Sequence, residues 1–281
     1  MNILNIDELI IKMNSSYVWD EEPVFCFTSD VDWASEEVLK EYFSVINGYK
    51  IRPTLFVTHS SSVIEENFMA NRIDRGIHPN FMAGSSHGET YKEVIETCIR
   101  FAPESFGFRS HRAYDVTDIT HLLQEHYGYK YVSNQITVLQ QFVRPILHES
   151  GLINFPVFFE DGTHLYNRLD LRFEKYLSLF ESPGLKIISF HPMNFVFNSP
   201  TMKFMRTIKD SLSRKEYNSI SKKTIDKLKN REDGIGKTVI DIINYVLRKG
   251  FKVMSMNEMY NLINIQEHEN VRNRQAFVKT C

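Results

Sequence analysis

Short apolar runs alternate with stretches of helical periodicity along most of the chain. Six such runs, bounded by glycine, proline or polar residues, predict buried strands at 24–28, 54–58, 107–109, 129–133, 186–190 and 251–254. Between them, apolar residues spaced three and four apart predict helices. This alternation favours parallel strands covered by helices, in an open doubly wound sheet or a barrel, and periodicity alone does not choose between the two.

Local signals mark the ends of several helices. Ser35 is a candidate N-cap for a helix whose apolar face is formed by Val38, Leu39, Tyr42, Phe43 and Ile46. Thr90 and Glu93 form a capping box before a second apolar face, and Asp118 is a candidate cap for a third helix. The strongest amphipathic pattern lies at 239–247 and ends in two cations followed by a glycine, as helix C-termini often do.

Composition limits the class of protein. The 281 residues are 42% hydrophobic with a net charge of −2, which is typical of a globular chain and disfavours nucleic-acid binding. Basic residues cluster at 203–231, but acids are interspersed there, a pattern typical of a solvated helical face. The wider segment 200–237 is polar and less regular, which predicts a helical insertion or lid.

The sequence shows neither a recognisable targeting signal nor a cysteine motif. The three cysteines include no Cys-x-x-Cys pair, which disfavours a disulfide framework and a zinc knuckle. Residues 1–20 lack the pattern of a signal peptide, and no stretch reaches the ~20 apolar residues of a membrane span. We therefore expect a cytoplasmic protein with a single domain over 1–281 and a core at about 24–263.

Five short polar segments carry the candidate chemistry, and most of them adjoin a predicted strand. They are 28–33, 76–79, 85–88, 108–111 and 189–192. The carboxyl ends of parallel strands meet at one edge of a sheet, where ligands bind. Carboxylates, imidazoles and a guanidinium at that edge are what a hydrolytic metal site requires. By contrast, the sequence has no Gly-rich dinucleotide motif, no phosphate loop and no Gly-x-Ser-x-Gly elbow.

Asp30 and Asp32 stand two positions apart after the first predicted strand. If that strand extends through both, their side chains leave on the same face, roughly 6–7 Å apart. This separation suits one carboxylate on a metal and one acting as base. An N-cap or turn leading into Ser35 explains the same residues equally well.

His78 and His87 are nine positions apart. They cannot share one face of a helix, but a loop containing Gly84 could bring both to one ion. With Asp32 they form a His/His/Asp set that leaves coordination positions open. Either histidine alone is more often a packed or surface residue.

Two further residues suit acid–base work. Arg109 could pair bidentately with a catalytic carboxylate, although a surface salt bridge explains it equally well; His111 can point to the same side. His191 could protonate a leaving group, oriented by Glu160 or Asp161. Arg112 competes with Arg109, and His164 competes as the helper of His191. A packed or surface histidine is the other explanation of His191.

The order and spacing of these segments resemble the NodB-type polysaccharide deacetylase family, carbohydrate esterases with a distorted (β/α) barrel. The resemblance spans about 24–263 and is closest to the divergent WbmS-type bacterial branch. Segment 28–32 resembles the first motif in its spaced Asp-x-Asp form. His78 matches the first metal histidine, but Met82 stands where the second is usual, and His87 is the best substitute. Arg109-Ser110-His111 resembles the third motif, Arg-x-Pro-Tyr, without its proline, and 188–191 resembles the late Leu-x-Ile-His motif.

This resemblance implies a fold and an acid–base pair. The fold is an α/β distorted barrel of the polysaccharide deacetylase type, with a polar helical insertion near 200–237. Asp30 would be the base, oriented by Arg109, and His191 the acid. Independently of the resemblance, we expect Asp161 to be the catalytic helper of His191.

It also implies ligand sets. The expected metal ligands are Asp32, His78 and His87, holding zinc or another divalent ion. The expected substrate-binding residues are His111, Trp33 and Tyr114. The substrate would be an N-acylated sugar, a sugar nucleotide or a lipid-linked glycan used in surface-glycan (lipopolysaccharide) biosynthesis.

Two alternatives remain open at this point. A metal-free amidase or deformylase on the same fold would also cleave a C–N bond, and the altered second motif leaves room for it. A non-catalytic member that only binds glycan is favoured by the altered histidine spacing and the missing proline. The metal content of the purified protein distinguishes the metal-free hydrolase from the deacetylase.

Overall fold

A mostly parallel sheet forms the centre of the structure, a computed structural model that describes residues 16–264. Strands β1 to β10 span Pro23–Asp30, Thr54–Val57, Asp74–Ile77, Gly107–Phe108, Tyr131–Val132, Ile146–Leu147, Ile153–Asn154, Phe159–Glu160, Gly184–Ser189 and Lys252–Val253. Their spatial order is β6-β7-β5-β4-β3-β2-β1-β9-β8, and β10 pairs with the first residues of β1. Among these strands only β6 and β7 pair in antiparallel orientation.

Helices cover the sheet and fill its connections. Helices α1 to α11 span Glu36–Ile46, Ser62–Met69, Tyr91–Ile99, Thr117–His121, Asp161–Tyr166, Leu177–Glu181, Pro192–Phe197, Met202–Asp210, Arg214–Asn218, Lys222–Leu228 and Ile235–Lys249. A further helical segment covers 256–264, and α4 continues as a π-helical turn at Leu122–His126. Within the described residues, no helix combines the length and hydropathy needed to cross a membrane.

The sheet curves into a half-barrel. Strands β1 to β5 follow one another outward in chain order, and β9 and β8 lie on the other side of β1. Every residue of β1 and β9 is buried, as expected for central parallel strands covered on both faces. The structure therefore settles the choice that periodicity left open in favour of a distorted barrel.

Most of the predicted helix signals are confirmed. Ser35 caps α1 by accepting a hydrogen bond from the Val38 N–H at 3.3 Å, and the five predicted apolar residues of α1 are all buried. Thr90 caps α3 in a capping box. The prediction that Asp118 caps α4 was wrong, because the helix begins at Thr117, two residues earlier than predicted, and its N-cap is Val116. The Asp118 carboxylate lies in the first turn, where it still faces the positive end of the helix dipole.

The predicted helical insertion is present as α8, α9 and α10. Each begins after a hydroxyl side chain, Thr201, Ser213 or Ser221, that accepts a backbone N–H. Few of their residues are buried, with Ile208 the buried residue of α8 and Ile225 that of α10. The sequence of this segment is polar because most of the surface of its helices is exposed to solvent.

Candidate active site

The carboxyl ends of β1, β3, β4, β8 and β9 open into one cavity of about 560 Å³. Eight of its lining residues are titratable groups named above as candidates: Asp30, Asp32, His78, Arg109, His111, Arg112, Glu160 and His191. Parallel strands place their carboxyl ends at the same edge of the sheet, so residues distant in sequence meet there. The cavity therefore lies where the sequence pattern predicted a site.

Arg109 holds Asp30 from beneath the cavity. Its Nη1 lies 2.8 Å from Oδ1 of Asp30, and its guanidinium lies 4.4 Å above the Phe56 ring. The remaining guanidinium hydrogen bonds go to Thr28, Ser133 and Ser189, at 2.8–2.9 Å. Arg109 is only 2% exposed, so these bonds fix the orientation of the guanidinium and, through it, that of the carboxylate.

The pKa of Asp30 reflects two opposing effects. Burial raises it, whereas the Arg109 guanidinium and the imidazoles of His78 and His191 lower it. The charges outweigh burial, and the pKa of Asp30 falls below its ordinary value. Asp30 is therefore ionised at neutral pH.

Asp32 enters the cavity on a turn. Strand β1 ends at Asp30, and Asp32 and Trp33 then adopt φ angles of 45° and 56°. This left-handed conformation is uncommon without glycine and is an outlier for a bulky residue such as Trp33. The Trp33 N–H donates to Thr58 Oγ1 at 3.0 Å, which helps to hold the turn. The two carboxylates thus meet through a strained turn, of the kind found at functional sites, and not through an extended strand.

Asp32, His78 and His111 converge on one point. The Asp32 Oδ1 atom lies 3.2 Å from His78 Nε2 and 2.9 Å from His111 Nδ1, and the three ligand atoms all lie within 4.8 Å of one another. Zinc bonds of about 2.0–2.2 Å at tetrahedral angles place ligand atoms about 3.3–3.5 Å apart. Two imidazole nitrogens and one carboxylate oxygen at this spacing fit a divalent cation. Burial opposes ionisation of Asp32, but hydrogen bonds from the two histidines hold its pKa well below the usual range.

The structure does not bring His87 to Asp32. The His87 Nε2 donates to the Thr58 carbonyl at 2.8 Å, and its Nδ1 accepts the Asn80 N–H at 3.1 Å. Both ring nitrogens are used within the protein, which leaves neither of them for a metal. His87 instead ties the loop after β2 to the loop after β3. We therefore replace His87 by His111 as the third candidate ligand.

His191 lies at the start of α7 and is held by Asp161. Its Nδ1 lies 2.6 Å from Asp161 Oδ1, and its backbone N–H donates to Asp161 Oδ2 at 2.8 Å. Its Nε2 lies 3.7 Å from Asp32 Oδ2. Glu160 lies 3.6 Å from the same imidazole Nδ1, whereas His164 bonds a backbone carbonyl elsewhere. Of the three possible helpers, Asp161 makes the direct contacts.

The pKa values of His191 and of its neighbour Glu160 are both raised. Burial lowers the pKa of His191, but Asp161, Asp32 and Glu160 together raise it well above its ordinary value. Burial and the neighbouring Asp161 raise the pKa of Glu160 to about 7. His191 is therefore protonated where Asp30 is ionised, and both face the same cavity.

The residues expected to bind substrate divide into two groups. His111 lines the cavity, whereas Trp33 and Tyr114 do not. The Trp33 ring lies 5.3 Å from the His87 ring and 5.4 Å from that of His111, so it packs behind the candidate ligands. Tyr114 packs against Phe81, with ring centroids 6.2 Å apart.

Helix α8 supplies part of the cavity wall that the sequence reasoning missed. Met202, Met205, Arg206 and Lys209 all line the cavity. Their spacing of three, four and seven positions from Met202 places them on one helical face. That periodicity was the available signal, and the surrounding polar composition obscured it.

Comparison with known proteins decides the family. The profile of the WbmS-like polysaccharide deacetylases matches residues 27–209, well over half of the chain. This chain belongs to that family. The match runs from β1 through most of α8 and includes every candidate catalytic and metal-binding residue described above.

The solved structures show the fold. The chain is similar to WbmS of Bordetella bronchiseptica, whose description assigns it to polysaccharide deacetylation in O-antigen biosynthesis: TM-score 0.68, 22% identity, 79% of this chain and 90% of that chain covered. The likeness confirms the distorted barrel of the polysaccharide deacetylase type. The Bc1960 peptidoglycan N-acetylglucosamine deacetylase is 12% identical over 84% of this chain and 87% of its own, but its TM-score of 0.43 is too low to carry an argument. The comparison with curated proteins gave no match.

Proposed function

We propose that the protein is a metal-dependent hydrolase that removes an N-acetyl or other N-acyl group from a sugar used in surface-glycan biosynthesis. One observation carries this proposal: Asp30, kept ionised by Arg109, and His191, kept protonated by Asp161, face one cavity together with Asp32. Amide hydrolysis needs a base for the attacking water and an acid for the departing amine, and environments that separate two pKa values assign those roles.

Asp30 is the proposed base. Its carboxylate faces the cavity, and the buried Arg109 keeps it both oriented and charged. A water molecule placed between Asp30 and the amide carbonyl would lose its proton to this carboxylate as it attacks. Arg109 acts through Asp30 and has no need to touch the substrate.

His191 is the proposed acid. Asp161 contacts the Nδ1 atom and the backbone N–H of His191. The other ring nitrogen, Nε2, lies toward Asp32 and is the one left for the substrate. A proton held there can pass to the nitrogen of the breaking C–N bond. The products are a neutral amine and a carboxylic acid, which loses its proton to solvent at neutral pH. The proton taken up by Asp30 then passes to solvent, and His191 takes one back.

Asp32, His78 and His111 are the residues that would hold the divalent cation, and their donor set fits zinc. When bound, such an ion polarises an amide carbonyl and lowers the pKa of water. The strained turn at Asp32 and the tie made by His87 between two loops keep this group assembled.

The proposed substrate is an N-acylated sugar, carried as a sugar nucleotide or a lipid-linked glycan, and the proposed location is the cytoplasm. Family membership supports a deacetylase, and the assignment of WbmS to O-antigen biosynthesis supports a surface glycan.

The test is release of acetate from a panel of N-acetyl sugars by the zinc-loaded protein. Asp30→Asn should lower kcat by about 10²–10⁴-fold while bound metal is unchanged, because the general base is lost and the ligands stay. The control is Asp118→Asn, an exposed carboxylate outside the cavity. Full activity of Asp30→Asn would contradict the mechanism, and turnover by metal-free protein would point to an amidase that needs no ion.

A further inference from the structure

The wall of the cavity formed by α8 and the segment after β4 is rich in cations. Arg206 and Lys209 come from α8, and Arg112 comes from the 3-10 turn at His111–Ala113. Among the described residues, no carboxylate lies within ion-pair distance of any of these three side chains. Asp210 is the one carboxylate on the same wall, so cations are in excess there.

The other charged groups of the cavity contact one another and not the α8 wall. Asp30 is paired with Arg109, and Asp32 is contacted by two imidazoles. Glu160 and Asp161 both contact His191, so these carboxylates are engaged there and not with the cations of the α8 wall. The three cations of the α8 wall therefore have no ion-pair partner among the described residues, and they favour an anionic group on the ligand.

Two structural features direct these cations at the cavity. Arg206 and Lys209 share the helical face that lines it, and Lys209 lies 5.6 Å from the centroid of the Tyr217 ring, which also lines it. Arg112 and Ala113 adopt φ angles of 61° and 51°, a left-handed conformation that non-glycine residues rarely hold. Such backbone persists only where the surrounding structure enforces it.

We infer that the sugar enters this cavity as a glycosyl diphosphate and that Arg112, Arg206 and Lys209 bind its phosphates. A diphosphate spreads two or more charges over several oxygens and is bound best by several cations, of which arginine can bind bidentately. A single carboxylate needs only one such residue. This inference rests on the proposed function, since it names the form in which that substrate is bound.

Diphosphate binding can be measured without turnover. A negative result for diphosphate binding is therefore distinct from a negative result for the proposed hydrolase activity. The full-length protein is titrated calorimetrically with inorganic pyrophosphate, uridine 5′-diphosphate and farnesyl diphosphate, with uridine and glucuronate as comparators. The variants are Arg206→Gln combined with Lys209→Gln, and Arg112→Gln. The matched control is Lys203→Gln, which lies on α8 but outside the cavity.

We expect pyrophosphate to bind the wild type and the control equally, more weakly at high salt, and at least about tenfold more weakly in the double variant. Binding that survives in Asp32→Asn shows that the phosphates do not depend on a metal held there. Tighter binding of uridine 5′-diphosphate than of farnesyl diphosphate identifies a sugar nucleotide, and the reverse a lipid-linked sugar. Equal binding by wild type and double variant, absence of diphosphate binding, or a preference for glucuronate would each overturn the inference.

Discussion

Two buried pairs set the protonation of the groups that flank Asp32. Arg109 holds Asp30 as a carboxylate, and Asp161 holds His191 as an imidazolium. Each pair is made by a residue that is itself almost fully buried, so solvent screens the interaction little. Arg109 and Asp161 therefore stabilise the charged form of the base and of the acid, respectively.

Replacing Asp161 should move the pH profile in a defined direction. His191 acts as an acid only when protonated, so activity is lost as pH rises through its pKa, which Asp161 holds high. Asp161→Asn removes that charge, and the alkaline limb of kcat/KM should move to lower pH by about 1–3 units. The measurement is kcat/KM against pH, beside Asp118→Asn, an exposed carboxylate outside the cavity, as the control. An unmoved alkaline limb in Asp161→Asn would assign the limb to another group.

The third candidate metal ligand gives a second prediction. His111→Ala should reduce bound zinc from about one ion per chain to a small fraction, because it removes one of three protein ligands. His87→Ala should keep its ion at saturating zinc, because both ring nitrogens bond to the backbone. Elemental analysis of the two variants, with circular dichroism to check folding, decides between them. Metal lost from His87→Ala and retained in His111→Ala would restore His87 as the ligand.

At the scale of secondary-structure elements, the helix signals that depend only on neighbouring residues gave the most reliable predictions. The capping box of α3 consists of Thr90 and Glu93, each of which bonds the backbone at the other's position. Such a motif depends on four consecutive residues and no distant contact, so sequence alone identifies it. The start of α4 was misplaced by two residues, because Asp118 suits both the cap and the first turn.

The capping box can be tested as a stability element. Thr90→Ala should lower the free energy of unfolding by about 1 kcal/mol, since an N–H at the start of α3 loses its acceptor. Activity should be unchanged, because Thr90 is exposed and does not line the cavity. The matched control is Thr97→Ala, within the same helix but away from its cap. Chemical denaturation measures both, and equal stability of the two variants would argue against the cap.

The part played by α8 was not visible from its composition. Its cations and carboxylates suggested a solvated face, and most of the helix is indeed exposed. Only its position beside the strand ends turns Arg206 and Lys209 into cavity residues. A helical pattern shows which residues share a face but not what that face meets.

For the whole molecule, the order of strands explains why the site assembles. Strand β1 lies between β2 and β9, which brings the end of the first strand next to the end of one far along the chain. Asp30 and His191 lie on these two strand ends, and His78 and Arg109 follow β3 and β4. A parallel sheet thus collects distant residues at one edge without any of them being close in sequence.

The sequence by itself determined the strand–helix alternation and most of the helix caps, because these depend on local periodicity and on neighbouring residues. It also gave the candidate residues that follow or end strands, because residue type at strand ends is visible in the sequence. These are Asp30, Asp32, His78, Arg109 and His191. Tertiary structure alone decided that His111 and not His87 lies at Asp32, that Asp161 holds His191, and that α8 lines the cavity. Those outcomes depend on where loops return and which groups use up each other's hydrogen bonds. Such contacts join residues far apart in the chain, and no local pattern encodes them.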